Sequence, residues 1–250
     1  MLLAVDVGNT QTVFGLYDGA ELGERWRIAT EAQRTGDELG ALLDDFLDYD
    51  TLDGICLSST VPRLVREYEH VGERWAKVPL LAIAPGVKLG IEIRHDAPRE
   101  IGPDRLVNAV AAKDKYGAPA IVADFGTSTN FDVVAPDGAY VGGVLAPGIE
   151  VSLDALFARA ARLQKVDFVE PPAAIGKTTA TALQSGIVYG FAGQVDGIAD
   201  AIRTELESPD AQVIATGGLA DLIAPHSRTI SGIDPFLTLD GLRIVWDRNR

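Results

Sequence analysis

Asp6, Asp104 and Asp124 each lie close to a glycine, and a carboxylate beside permissive backbone can hold a cation or take a proton. The first follows an apolar run as Asp6-Val7-Gly8-Asn9-Thr10. A carboxylate at a strand end, followed by a tight turn, sets backbone N–H groups and a hydroxyl around an open corner. That corner suits a phosphate chain and its Mg²⁺, since glycine lets the backbone approach and a carboxylate prefers hard cations. The same residues also make an ordinary hairpin turn. Asp124-Phe125-Gly126-Thr127-Ser128-Thr129-Asn130 is a second such end, with hydroxyls and an amide in an apolar context. These groups are costly to bury unless they meet ligands, ions or one another, and a cross-strand hydroxyl ladder is the alternative.

Gly102-Pro103-Asp104-Arg105 is the third place. A helix start favours an ionised Asp104, which could accept a proton from a substrate hydroxyl. Arg105 could grip a carboxylate or phosphate with its fork of donors. The plainer reading is a first-turn helix charge beside a surface arginine. Gly217-Gly218 is either a shelf for a ring or sugar, or a tight βα turn. Gly176-Lys177-Thr178-Thr179 is no P-loop, because Pro171 stands where the motif needs glycine. One of Thr178 and Thr179 caps a helix, leaving the other hydroxyl for a ligand. His70 and His226 read as surface residues, while His95 lies upstream of Asp104 and can share its neighbourhood.

The elements that position these residues alternate in period. Residues 2–10 and 120–128 are similar apolar runs ending in Asp-x-Gly, each followed by a second run, 12–17 and 130–135. Both second runs end at Asp-Gly, Asp18-Gly19 and Asp137-Gly138, a hairpin signal. Two similar halves are expected, 1–117 and 118–250. Helices are expected from Gly36, with Thr35 and Glu38 as a capping box, from Pro62, over Pro103–Tyr116, Val151–Leu163 and Thr178–Leu206. Further strands are expected at 53–58, 80–84, 91–93, 212–216 and 242–246. Alternating strands and helices indicate an α/β architecture. Gly186, Gly190, Gly193 and Gly197 form a stripe on the long helix, which reads as close packing inside the chain or as a subunit interface.

Composition narrows the function classes. With 22 basic and 36 acidic side chains in 250 residues, the net charge is −14. Such a surface repels phosphate backbones and anionic lipid, so neither nucleic acid nor membrane is an expected partner. The single cysteine, Cys56, excludes an intrachain disulfide. No apolar run approaches the roughly 18 residues of a membrane helix, and the chain opens directly on a strand pattern, so a soluble cytoplasmic protein is expected.

The runs DVGNTQTVFGLYDG, GPDRLVNAVAA, DFGTSTNFDVV, GGVLAPGI, AIGKTTATALQSGIVYG and ATGGLA, in this order, resemble type III pantothenate kinase over nearly the whole chain. The resemblance implies two duplicated ribonuclease-H-like domains of the actin-like ATPase kind with a cleft between them. It implies ATP-dependent phosphorylation of pantothenate, the first step of coenzyme A synthesis. Carried over, Asp6, Val7, Gly8, Asn9, Thr10, Gln11, Thr12 and Val13 line the ATP phosphates with Asp6 near Mg²⁺, and Thr127 contacts ATP. Asp104 is the general base in a substrate loop of Gly102, Pro103, Asp104 and Arg105; Thr179 contacts pantothenate. Asp124 holds a monovalent cation, K⁺ or NH₄⁺, and the protein is a homodimer.

Four positions depart from the family pattern. His95 stands where tyrosine is common and Pro103 where alanine is usual. Ser128 and Asn130 replace the alanine and the last threonine of Gly-Thr-Ala-Thr-Thr. These departures are expected to tune affinity without abolishing activity. Two rival functions stay open: a non-catalytic accessory or regulatory binding protein of the same family, and a superfamily kinase for another small hydroxy compound. Retention of all three carboxylates argues against the first.

Overall fold

The computed structural model describes residues 1–160 and 163–250. The chain divides into two compact units, Met1–Ile91 with Asp96–Ala111 and Leu237–Arg250, and Glu92–His95 with Ala112–Phe236. The expected boundary near 117 therefore differs from the observed division in one large respect: the C-terminal segment counts with the first unit.

In the first unit β1 (Leu2–Val7), β2 (Gln11–Asp18), β3 (Glu21–Ala29), β4 (Gly54–Ser59) and β5 (Leu80–Ala82) form one sheet, ordered β3-β2-β1-β4-β5. The hairpin pairs are antiparallel, whereas β1 with β4 and β4 with β5 are parallel. In the second unit β6 (Ala120–Phe125), β7 (Ser128–Val134), β8 (Tyr140–Pro147), β9 (Gln212–Gly217) and β10 (Ile230–Ile233) repeat the arrangement as β8-β7-β6-β9-β10. The hairpins repeat with the second turn one residue shorter, Val7 lying opposite Thr12 and Phe125 opposite Thr129. The parallel register repeats, with Asp6 opposite Ser58 and Asp124 opposite Thr216. Asp18-Gly19 and Asp137-Gly138 turn the chain between β2 and β3 and between β7 and β8, with φ of +58° and +82° at the glycines.

Alternation decides which face of each sheet takes helices. Leu3, Val5 and Val7 of β1, with Phe14, Ile55 and Leu57, pack under α1 (Gly36–Asp44) and α2 (Pro62–His70). The Thr35–Glu38 capping box starts α1 as expected, and Pro62 occupies the first turn of α2. Ile121, Ala123, Phe125, Phe131 and Val133 likewise pack under α4 (Ile149–Arg159) and α5 (Thr179–Glu205). α3 spans Pro103–Tyr116 as expected, and Thr178 caps α5. Residues 161–162 of the expected helix over Val151–Leu163 lie outside the described residues.

Several local expectations fail for identifiable reasons. Residues 242–246 form no strand but lie within α7 (Leu237–Asn249), buried at Leu242, Ile244, Val245 and Trp246. A short apolar run suits a buried helix and a buried strand equally, and here the long reach from Leu237 decides. Strand character at 80–84 ends at Ala82, and residues 91–93 contribute only a bridge from Ile93 to Tyr140. The glycine stripe of α5 has no close packing partner among the described residues. A Cβ at Gly186, Gly190, Gly193 or Gly197 would meet no atom within 4 Å among the described residues.

α7 covers the opposite face of the first sheet, and two glycines make its seat. A Cβ at Gly54 would fall 2.0 Å from the Trp246 ring, and one at Gly241 would fall 2.1 Å from the Val107 carbonyl oxygen of α3. Gly241→Ala is expected to destabilise the fold by about 1–3 kcal/mol through overpacking. Alanine's helix propensity alone would stabilise by about 1 kcal/mol, so the sign separates the two effects. A urea midpoint that rises in this variant would contradict the packing of α7 on α3.

Candidate functional site

Asp6 ends the central strand of the first sheet, on the face opposite α1 and α2, and is half-buried. Its Oδ1 accepts a 2.7 Å hydrogen bond from Ser58 Oγ, on the neighbouring parallel strand. The turn Gly8–Thr10 that follows is closed by Gly8 N donating to the Gln11 carbonyl at 3.0 Å. Asn9, Thr10 and Gln11 are exposed, so this corner is open to solvent. Thr60 fastens its back, donating N–H and hydroxyl to the Val7 carbonyl at 2.9 and 3.1 Å. Thr12 points the other way: it is 2% exposed, and its hydroxyl pairs with Thr30 Oγ1 at 2.9 Å. Any contact Thr12 offers a phosphate is through its backbone.

Asp124 ends the central strand of the second sheet and pairs with Asn130 and Thr216. Its turn is clamped by two glycines. A Cβ at Gly217, whose φ is +91°, would lie 2.7 Å from Asp124 Oδ1 and 2.6 Å from the Phe125 carbonyl oxygen. One at Gly148, before α4, would lie 2.2 Å from the Thr127 carbonyl oxygen. Gly217 thus does more than turn the chain: it lets β9 approach the carboxylate. Ser128 Oγ donates to Asn130 Oδ1 at 2.6 Å, which ties together the two residues that depart from the family pattern. Thr127 is exposed at the tip of the turn.

Asp104 occupies the first turn of α3, after Pro103. Gly102 makes room for it, since a Cβ there would lie 2.4 Å from Asp104 Oδ1. That oxygen is buried and has no hydrogen-bond partner among the described residues. Burial raises the Asp104 carboxyl above its ordinary value, while the backbone N–H groups of Arg105 and Asp104 and the Arg105 charge act the other way. A carboxylate kept short of partners is a proton acceptor of raised basicity.

The remaining expected residues lie on other segments of the chain. His95 counts with the second unit, on the segment that meets Tyr140, and a Cβ at Gly142 would lie 3.4 Å from its ring. Thr179 is exposed at the first position of α5, because Thr178 takes the cap with Thr181 as its reciprocal partner. Burial pushes the Cys56 thiol up to about 12, too high for a nucleophile at neutral pH. Ser58, Thr216 and Gly148 were not singled out from sequence. The available signal was the hydroxyl run Ser58-Ser59-Thr60 at the end of an apolar strand, the pattern already noted after Gly126.

No group of three or more His, Cys, Asp and Glu gathers as a metal site among the described residues. Asp6 nevertheless fits Mg²⁺, which binds through one or two carboxylates plus substrate phosphates and keeps several waters.

Known proteins share the sequence and the fold of this chain. Residues 2–201 match the family model described as type III pantothenate kinase. Proteins named type III pantothenate kinase from Streptomyces griseus and Acidothermus cellulolyticus are 50% and 51% identical, covering 100% of this chain and 98% and 99% of theirs. One from Moorella thermoacetica is 50% identical over the full length of both chains. Among solved structures, a Campylobacter jejuni protein assigned to the Baf family of transcriptional activators superposes with a TM-score of 0.61 at 17% identity, covering 99% and 98% of the two chains. An N-acetylmannosamine kinase candidate from Listeria monocytogenes does so at 0.53 and 12% identity, covering 99% and 98%. These distant likenesses concern the fold, and with the repeated sheet order they make it a duplicated ribonuclease-H-like one. By sequence over its whole length, the chain belongs to the type III pantothenate kinase family.

Proposed function

We propose that this chain transfers the γ-phosphoryl group of ATP to the primary hydroxyl of pantothenate, opening coenzyme A synthesis, with Asp104 as the general base. The observation that carries the reading is the buried, unpartnered Oδ1 of Asp104 at the start of α3. Asp104 takes the hydroxyl proton as that oxygen attacks the γ-phosphorus; the bond to the β-phosphate oxygen breaks and ADP leaves. The residues Asp6 to Val13 line the phosphates, and Thr127 meets the nucleotide. Asp6 holds Mg²⁺, which when bound neutralises charge on the phosphates. Asp124 serves a monovalent cation, K⁺ or NH₄⁺. Gly102, Pro103, Arg105, Thr179 and His95 contact pantothenate, and Arg105 suits its carboxylate.

The protein works as a cytoplasmic homodimer, without nucleic acid or membrane as partner. No helix among the described residues is long and apolar enough to cross a membrane. The glycines of α5 support the dimer: each costs about 1 kcal/mol against alanine in a helix, and none of the described residues needs the space. They flank Tyr189, which is 41% exposed. Replacing Gly190 and Gly193 together by leucine is expected to yield monomers in analytical ultracentrifugation; dimers that persist would place the interface elsewhere.

Release of ADP from ATP, Mg²⁺ and pantothenate, with and without K⁺, tests the reaction. Turnover is expected to require K⁺ and to vanish in Asp104→Asn. Turnover without K⁺ removes the role given to Asp124. Folded protein inactive under every monovalent cation sinks the kinase reading for this acceptor.

The raised Asp104 carboxyl also sets two pH dependences. The base must be ionised, so kcat/KM falls as pH drops through a value raised above that of an ordinary aspartate. For stability, a folded-state value above the unfolded one helps at low pH and is lost as pH rises through the folded value. Asp104→Asn should therefore raise the thermal midpoint at neutral pH while leaving it unchanged in acid. A midpoint that falls at neutral pH would show the carboxylate to be a structural anchor.

A further inference from the structure

Ser58 lies fully buried on β4, directly across the parallel ladder from Asp6, and donates its hydroxyl to Asp6 Oδ1 at 2.7 Å. A hydroxyl buried after the apolar run Ile55-Cys56-Leu57 is costly without a partner, and Asp6 is that partner. The bond has a consequence beyond satisfying Ser58. The terminal torsion of an aspartate is broad and two-fold, so the backbone alone does not decide which way the carboxylate plane turns. A hydrogen bond from a rigid strand to one oxygen removes that freedom. The second sheet places a similar residue at the same register: Asp124 pairs with Thr216, 2% exposed on β9. Each strand-end carboxylate thus has a buried hydroxyl residue beside it on the parallel neighbour.

We propose that Ser58 is a positioning residue for phosphoryl transfer, holding the Asp6 carboxylate in the orientation from which it meets Mg²⁺ on the nucleotide. The proposal rests on the kinase reading above. Ser58 touches neither substrate nor metal; it acts through Asp6, as an outer partner of a metal-binding carboxylate does.

Calorimetric titration of ADP across a Mg²⁺ series, with steady-state assays and thermal midpoints, compares the unaltered protein with Ser58→Ala, Ser58→Thr and Asp6→Asn. Ser58→Ala is expected to need about tenfold more Mg²⁺ for the same tightening of ADP and to lose about tenfold in kcat. Ser58→Thr, the residue type used in the second sheet, should restore both. A Ser58→Ala protein with an unaltered Mg²⁺ requirement overturns the positioning role even if its thermal midpoint falls, because a packing hydroxyl would move stability alone. If Ser58→Ala does not fold, Ser58→Cys, a weaker donor of similar volume, decides by the same shift or its absence. Should the unaltered protein turn over pantothenate while Asp6→Asn leaves the Mg²⁺ dependence unmoved, the roles of Asp6 and Ser58 fall and the kinase reading stands. An unaltered protein that does not bind ATP overturns both.

Discussion

A strand at the centre of a sheet has both edges paired, so only its ends can offer unspent groups to a ligand. β1 and β6 are such strands, each between an antiparallel hairpin partner and a parallel one. Each ends near an aspartate and a turn rich in glycine and hydroxyls. The pairing supplies rigidity, since the carboxylate sits on backbone fixed from both sides. The turn supplies exposed amides. Most of the other features serve this arrangement: Thr60 pins the end of β1, Ser58 orients Asp6, and Gly148 and Gly217 let backbone close on the turn before Thr127.

Much of this could be read from residue order alone because it is local. Asp-x-Gly after an apolar run, Asp-Gly at the next turn, and the Thr35–Glu38 box are short-range signals, and each appears where expected. α3 is correct at both ends because Pro103 begins it and its apolar period is clean. What failed was non-local. Whether 242–246 is strand or helix depends on whether it finds a sheet edge or a sheet face, and it finds the face holding Gly54. The link between Ser58 and Asp6 is invisible without the parallel register, which brings together residues far apart in the chain. The glycine stripe was visible, yet no described residue is its packing partner.

Asp104 shows how function and stability pull apart in one side chain. Burial makes it basic, and burial with an unpartnered Oδ1 makes it costly to the fold. Gly102 is the enabling neighbour, because any side chain there would occupy the space that the carboxylate uses. Asp6 follows the opposite rule, with a firm hydrogen bond that orients it. One carboxylate is raised by burial toward accepting a proton, and the other is held in direction by a hydrogen bond. That contrast matches a reaction that needs a proton taken from one oxygen and charge neutralised on others.

In the proposed reaction the nucleotide is held at the strand-end turns that follow β1 and β6. Hydrogen exchange at amide resolution, with Mg²⁺ and a non-hydrolysable ATP analogue added, tests it most directly. Slowed exchange at Gly8–Thr10 and at Gly126–Thr127 is the predicted result. Nucleotide binding that leaves both turns unchanged and protects the start of α5 around Lys177–Thr179 instead would contradict the account.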